Sequence, residues 1–144
     1  MGQHLSVPIP APIDIQAILK AEKEAKRTKI FLLRNAGLPC CPRRLPQMTG
    51  LREVDLSSNR IVELPFEIGE LIKLRVLNVS HNLLALLPDS IGTCVLLKIL
   101  NASHNTIEQI PDTLGQLQRL EQVDFTGTHY LKYALRVQLT LSCI

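Results

Sequence analysis

Residues 51–119 read LREVDLSSNRIVELPFEIGELIK, LRVLNVSHNLLALLPDSIGTCVL and LKILNASHNTIEQIPDTLGQLQR, three successive copies of one 23-residue pattern. With two weaker copies included, the repeats start at positions 28, 51, 74, 97 and 120. Agreement over so many columns indicates a repeat protein, in which each unit buries its apolar face against its neighbours.

Each column of the repeat has a physical explanation. Apolar residues at positions four and six follow the alternation of a β-strand, which predicts that both side chains point inward. Asn at position nine is expected to turn the chain and to satisfy buried backbone groups with its amide. Pro at position fifteen favours a turn or a short helix, and Gly at nineteen fits a return without room for a side chain. We therefore predict an α/β solenoid, a short curved horseshoe with parallel strands on its concave face.

The two ends of the chain depart from the repeat. Residues 1–13 are expected to be flexible, and residues 14–27, DIQAILKAEKEAKR, predict an amphipathic helix, capped by Asp14, that covers the first repeat. Because the helix is basic, a membrane-surface or partner-binding role is the alternative. The repeats then occupy residues 28–130. Residues 131–144 form an irregular tail with strand-like alternation, either a last strand or the end of a fragment or variant product.

The pattern LxxLxLxxNxLxxLPxxIGxLxx resembles the intracellular leucine-rich repeats of the Ras-interacting group. Within the first repeat, FLLRNAGLPCCP (31–42) is similar to the opening of the family of leucine-rich repeat-containing protein 57. The resemblance covers residues 28 to about 130. It implies a curved solenoid that acts as a scaffold or adaptor, with small-GTPase signalling or phosphatase scaffolding as the setting. Its motifs are specific to the fold and do not choose a partner.

The first six residues, MGQHLS, match the N-myristoylation pattern, with Gly2 as the acceptor and Ser6 as the second required residue. A chance match is the alternative, because the pattern constrains few positions. One myristoyl chain gives only marginal membrane binding, so a second signal is needed, and the basic helix is a candidate. We expect reversible, peripheral membrane association.

Composition excludes several classes of protein. The net charge of +3 is small and no basic residues alternate with aromatic ones, which argues against nucleic-acid binding. The four cysteines have neither zinc-ligand nor disulfide-framework spacing. The sequence shows no secretory signal and no stretch long enough to span a bilayer. We expect a protein of the cytoplasm, or of the cytoplasmic face of a membrane, without a cofactor.

The histidine, serine and cysteine side chains of the repeats do not form a catalytic group. His81 and His104 occupy position eight of successive repeats and should stack, but no third metal ligand follows them in that column. The serines beside them, Ser80 and Ser103, point the other way on a strand and make no dyad. Cys94 falls at an apolar position and is expected in the core. We predict neither a metal site nor an enzyme.

The concave face, at positions three, five, seven and eight, is the predicted protein-binding surface. Val76 and Ile99 are expected side by side there among polar residues. Paired apolar residues within a polar rim are more typical of a binding site than of a solvent-exposed face. Position two adds a basic row, Arg52, Arg75 and Lys98. The candidate binding residues are Glu53, Asp55, Val76, Asn78, His81, Ile99, Asn101, His104, Gln122 and Asp124.

Two alternatives to an independent interaction module remain. One is a regulatory or targeting subunit of a signalling enzyme, acting on a small GTPase, a phosphatase or a ubiquitin ligase. The other is a truncated variant product without an independent role, an interpretation that the irregular residues 131–144 favour.

Overall fold

A computed structural model of the chain describes residues 12–129. One α-helix, α1 (Ile15–Thr28), precedes five short strands, which are β1 (Ile30–Leu32), β2 (Glu53–Asp55), β3 (Val76–Asn78), β4 (Ile99–Asn101) and β5 (Gln122–Asp124). Each turn between strands holds a short 3-10 helix, at Leu45–Gln47, Phe66–Glu70, Asp89–Thr93 and Asp112–Gln116. The predicted lipidation site Gly2, most of the predicted flexible N-terminus (1–13) and the predicted irregular tail (131–144) lie outside the described residues.

The strands form one parallel sheet in the order of the sequence. Each residue pairs with the residue one repeat later, as Val54 pairs with Leu77 and Leu77 with Leu100. Because every repeat has the same length, equivalent residues form straight columns across the sheet. The predicted solenoid of parallel strands is confirmed.

The core is a stack of aliphatic columns with little aromatic content. Positions one, four, six and eleven of the regular repeats point inward, and most of these side chains are fully buried. The fully buried members include Leu51, Leu74, Leu97, Val54, Leu77, Leu100, Leu56, Val79, Ala102, Ile61, Leu84 and Ile107. Each repeat closes the face of its neighbour, which is why the units are stable only as a stack.

A ladder of asparagines runs through this core, as the sequence predicts. The Asn82 amide donates to the carbonyls of Leu56 and Val79, both at 3.0 Å, and its oxygen accepts the N–H of Ile61 at 3.0 Å. Asn59 and Asn105 repeat this arrangement one unit earlier and one unit later. The ladder satisfies buried backbone groups where the strands end, so the chain can turn inside an apolar core.

The glycine column shows how closely the repeats stack. A Cβ added at Gly69 would lie 2.6 Å from the carbonyl oxygen of Ser90, and one at Gly92 would lie 2.7 Å from Thr113. At Gly115 no residue of the described range 12–129 lies within 4 Å. The predicted lack of room is therefore confirmed at Gly69 and Gly92, where another described repeat follows directly. At Gly115 it stays a prediction, because the residues that follow the last described repeat lie outside 12–129.

Helix α1 covers the first repeat with its small residues. The Asp14 carboxylate accepts the N–H of Ala17 at 2.9 Å and caps the helix. Ala21 and Ala25 are buried, whereas Ile15 and Leu19 are 65% and 49% exposed. The helix thus packs on the first repeat through Ala21 and Ala25, with Ala17 and Ile18 partly buried beside them. Among the described residues, nothing covers Ile15 and Leu19. No helix within residues 12–129 has the length and apolar character needed to cross a membrane.

The last described repeat is less regular than the others. Val123, expected to point inward at position four, is 37% exposed. Thr128 replaces the ladder asparagine and is buried, and its hydroxyl donates to the carbonyl of Phe125 at 2.7 Å. Threonine therefore supplies one of the bonds that asparagine supplies in the preceding repeats.

Candidate functional site

The outward side chains of the sheet form the concave face. Position three carries Ile30, Glu53, Val76, Ile99 and Gln122 from β1 to β5. Strand pairing sets Val76 directly beside Ile99, and both side chains are only partly buried. These two adjacent aliphatic residues lie between Glu53 and Gln122. They form an apolar site of two strands' width between the polar side chains of β2 and β5.

Some of the polar groups at position five form hydrogen bonds within the fold. The side-chain oxygens of Asn78 and Asn101 each accept the hydroxyl of the serine two residues later, at 2.7 Å. Asn78 also donates to Asp55, at 3.1 Å, whereas the amide nitrogen of Asn101 forms no hydrogen bond with residues 12–129. Asn101 thus offers a free donor beside Ile99. The position-seven serines, Ser80 and Ser103, are buried and do not contribute to the surface.

The sequence places Asp55 on the binding face, and the structure corrects this. Asp55 is 3% exposed, because Arg34 folds over it and forms an ion pair at 2.7 Å. Its carboxylate also accepts the backbone N–H of Ser57 and the amide of Asn78. Asp55 is a structural anchor that holds Arg34 across the first strands, and it is not available to a partner.

Asp124 and Gln122, on β5, are exposed as a binding role requires. Hydrogen bonds from the hydroxyl and the backbone amide of Thr126, with His104 nearby, lower the pKa of Asp124. The carboxylate is therefore charged at neutral pH. It supplies a negative charge two columns from the apolar pair.

The two predicted histidines stack face to face. The ring centroids of His81 and His104 are 4.3 Å apart with an interplanar angle of 13°. Both residues lie just after their strands in the left-handed region, with φ of 53° and 52°, and both are exposed. Parallel stacked rings direct their nitrogen lone pairs side by side, so the pair does not converge on one metal ion. No group of three or more potential metal ligands exists within residues 12–129.

Sequence reasoning missed the contribution of the first strand. Ile30 and Leu32 are 37% and 47% exposed on the concave face, at positions three and five of the weaker first repeat, which starts at position 28. Arg34, at position seven, is the cation that buries Asp55. Extending the column assignment back by one repeat would have identified all three residues.

The described repeats and known proteins agree on the architecture. The leucine-rich-repeat family profile matches residues 49–107. The fold is a leucine-rich-repeat solenoid. Among solved structures, a leucine-rich-repeat protein of Leptospira interrogans superposes with a TM-score of 0.65 at 24% identity, over 81% of this chain and 35% of that one. YopM of Yersinia enterocolitica gives a TM-score of 0.67 at 26% identity, over 84% of this chain and 25% of YopM.

A chain from a plant protein complex is also similar to this leucine-rich-repeat solenoid. A chain of the BIR3–SERK2 complex of Arabidopsis thaliana has 30% identity and a TM-score of 0.62, over 68% of this chain and 55% of that one. The present chain thus spans about a third of the Leptospira protein and about half of the plant chain. A comparison with curated protein sequences gave no match.

The cysteines of the solenoid are unreactive where they are buried. Burial raises the pKa of Cys94 to about 11 and that of Cys41 to about 12. The Cys94 thiol lies in the core, as predicted, 3.5 Å from the carbonyl oxygen of Ile68. Neither group is a thiolate near neutral pH, so neither has the character of a nucleophile.

Proposed function

We propose that this chain is a non-enzymatic interaction module that binds a partner protein through the concave face. The observation that carries the proposal is the adjacent pair Val76 and Ile99, which strand pairing sets between Glu53 and Gln122. Partly buried aliphatic residues with a polar rim are the composition of a small interface core. The face lacks aromatic anchors, so a modest affinity is expected.

The similar structures support this proposal at the level of the fold. The BIR3–SERK2 structure is a complex between two proteins, and one of its chains shares the solenoid described above. The rigid parallel sheet holds side chains from several repeats in fixed register, which favours recognition of an extended surface over catalysis at one point.

The nature of the partner follows from the sequence resemblance. The repeats resemble the intracellular Ras-interacting group, and the first repeat resembles the family of leucine-rich repeat-containing protein 57. We therefore propose a cytoplasmic scaffold or adaptor whose partner is a small GTPase or a phosphatase complex. A regulatory subunit of such an enzyme would use the same face.

Membrane tethering is a second part of the proposal. Gly2 lies in a myristoylation pattern, and α1 presents Ile15 and Leu19 outward beside Lys23 and Lys26. An acyl chain with a basic amphipathic helix supplies the two signals that stable membrane binding requires. Mass spectrometry of the mature N-terminus tests this directly: we expect myristoylated Gly2, and a free glycine amine would contradict the tether.

Proximity labelling in cells tests the interaction. We expect the wild-type chain to label a defined partner, and the variant carrying Val76→Glu and Ile99→Glu to lose it. Buried carboxylates at the interface core would be desolvated on binding without a matching charge. A partner that is retained by a folded double variant would show that the concave face is not the binding site.

A further inference from the structure

We infer that a column of cations at the start of the strands docks an extended acidic segment of the partner, an inference that rests on the proposed function of the concave face. The basic column consists of the position-two residues Lys29, Arg52, Arg75 and Lys98. Each lies directly before a strand, and each is followed by a residue of the concave face. Three of them are exposed and Lys98 is partly exposed.

Backbone hydrogen bonds hold these four residues side by side on successive repeats, each of which is one rung of the column. The N–H groups of Arg52, Arg75 and Lys98 each donate to the carbonyl of the preceding member of the column, at 2.8 Å. Each of these carbonyls also accepts a second N–H, from the first residue of the next strand. The Arg52 carbonyl, for example, accepts the N–H of Val76 at 3.1 Å. The cations are therefore spaced by about 4.8 Å, the separation of neighbouring strands.

The charge of the column is not balanced in the middle. Arg52 and Arg75 form no ion pair and no side-chain hydrogen bond with any residue in 12–129. At the ends, the Lys29 ammonium donates to the carbonyl of Lys26, and Lys98 pairs with Glu121 at 2.8 Å. Like charges on neighbouring strands repel one another. The column therefore costs stability in the free protein, and an anion that bridges the two arginines would relieve it.

The neighbouring column shows what kind of anion fits. Val76 and Ile99 directly follow Arg75 and Lys98, so a ligand over the basic column also meets aliphatic side chains. No aromatic residue lies in either column to stack on a nucleobase. A polypeptide that places carboxylates over the basic column and apolar side chains over Val76 and Ile99 matches both sets of residues.

The length of the segment follows from the spacing. Four rungs span about 14 Å, which an extended chain covers with about four or five residues. Glu121 occupies the same position on the next rung and would repel an acidic chain beyond Lys98. The column thus sets where the acidic stretch of the partner ends.

Fluorescence anisotropy tests the inference with the full-length protein and a labelled peptide of alternating glutamate and leucine. We expect this peptide to bind with an affinity that falls as the salt concentration rises. The variant carrying Arg52→Glu and Arg75→Glu should bind it at least about tenfold more weakly. The matched control carries Lys20→Glu and Arg43→Glu, an equal change of charge at exposed residues that form no ion pair within residues 12–129. The control should retain the wild-type affinity.

The melting temperature of the variant carrying Arg52→Glu and Arg75→Glu tests independently whether the basic column repels itself. Glutamates at positions 52 and 75 would lie between Lys29 and Lys98, so repulsion becomes attraction and the melting temperature should stay equal or rise. A fall in melting temperature would contradict the claim that the column is self-repelling.

Other outcomes separate this inference from the proposed function. Equal peptide affinity in both double variants, or preferential binding of oligothymidine or phosphatidylserine vesicles, would overturn the acidic-peptide assignment. A cellular partner that is lost with Val76→Glu and Ile99→Glu but kept with Arg52→Glu and Arg75→Glu would leave the concave-face function standing and refute the basic column alone. A partner lost in both variants supports both claims.

Discussion

At the scale of single residues, the glycine column measures how tightly two repeats are stacked. Gly92 and Gly115 occupy the same position in successive repeats, yet only Gly92 has a neighbouring repeat against it among the described residues. We predict that Gly92→Ala lowers the free energy of unfolding by about 2–3 kcal/mol, because its methyl group would overlap Thr113. Gly115→Ala should change it by less than about 1 kcal/mol. Urea denaturation of both variants checks the difference, and equal effects would contradict the stacking.

The buried thiols give a second prediction for individual residues. Cys40 is exposed, whereas Cys41 and Cys94 are buried with raised pKa values of about 12 and about 11. Iodoacetamide at pH 7 should therefore modify Cys40 and leave the other two intact until the chain unfolds. Peptide mass spectrometry distinguishes the sites, and rapid alkylation of Cys94 in the folded protein would contradict its place in the core.

The same thiols predict the alkaline behaviour of the fold. An unfolded thiol loses its proton near its ordinary pKa of 9.0, while folded Cys94 keeps its proton to about 11. The stabilising contribution is thus present below pH 9 and is lost as the pH rises toward 11. The urea midpoint of the wild type should fall over this window, and Cys94→Ala should reduce the slope.

Residue identities predicted the core better than the surface. Leu, Asn and Pro at recurring positions have steric and hydrogen-bonding demands that few arrangements satisfy, so their burial followed from the repeat. Asp55 was wrongly placed on the surface because its burial depends on Arg34, a residue of the weaker first repeat. A long side chain that crosses between strands leaves no periodic signal in the sequence.

At the scale of elements, α1 packs through a face that its sequence shows only weakly. The larger apolar residues Ile15 and Leu19 are exposed, and the contact with the first repeat uses Ala21 and Ala25. Hydrophobic periodicity predicted that a helix caps the solenoid. It did not predict that Ile15 and Leu19 would remain exposed while Ala21 and Ala25 are buried and Ile18 is partly buried against the core.

A matched pair of substitutions tests this arrangement of α1. Ala25→Glu should destabilise the protein by about 2–4 kcal/mol, since it places a carboxylate at a position that is only 1% exposed against the first repeat. Leu19→Glu changes a half-exposed residue and should cost less than about 1 kcal/mol. Thermal melts followed by circular dichroism compare the two. A larger effect at Leu19 would mean that the helix packs through its other face.

At the scale of the whole molecule, the solenoid turns a repeat of sequence into columns of side chains. The 23-residue period alone was sufficient to predict the sheet, its strand order and its register. It also placed Val76 beside Ile99 and stacked His81 on His104. The period could not show which columns are satisfied internally, because hydrogen bonds such as those of Asn78 and Ser80 depend on side-chain conformation.

The central claim is that the concave face, and no other apolar surface of the described chain, binds the partner. Val62 and Val95 provide a control, because they are exposed aliphatic residues that lie outside the strands. Proximity labelling should be compared between a variant with Val76→Glu and Ile99→Glu and one with Val62→Glu and Val95→Glu, both confirmed as folded. We predict that the first loses the wild-type partner and the second retains it. Loss in the second with retention in the first would contradict the account.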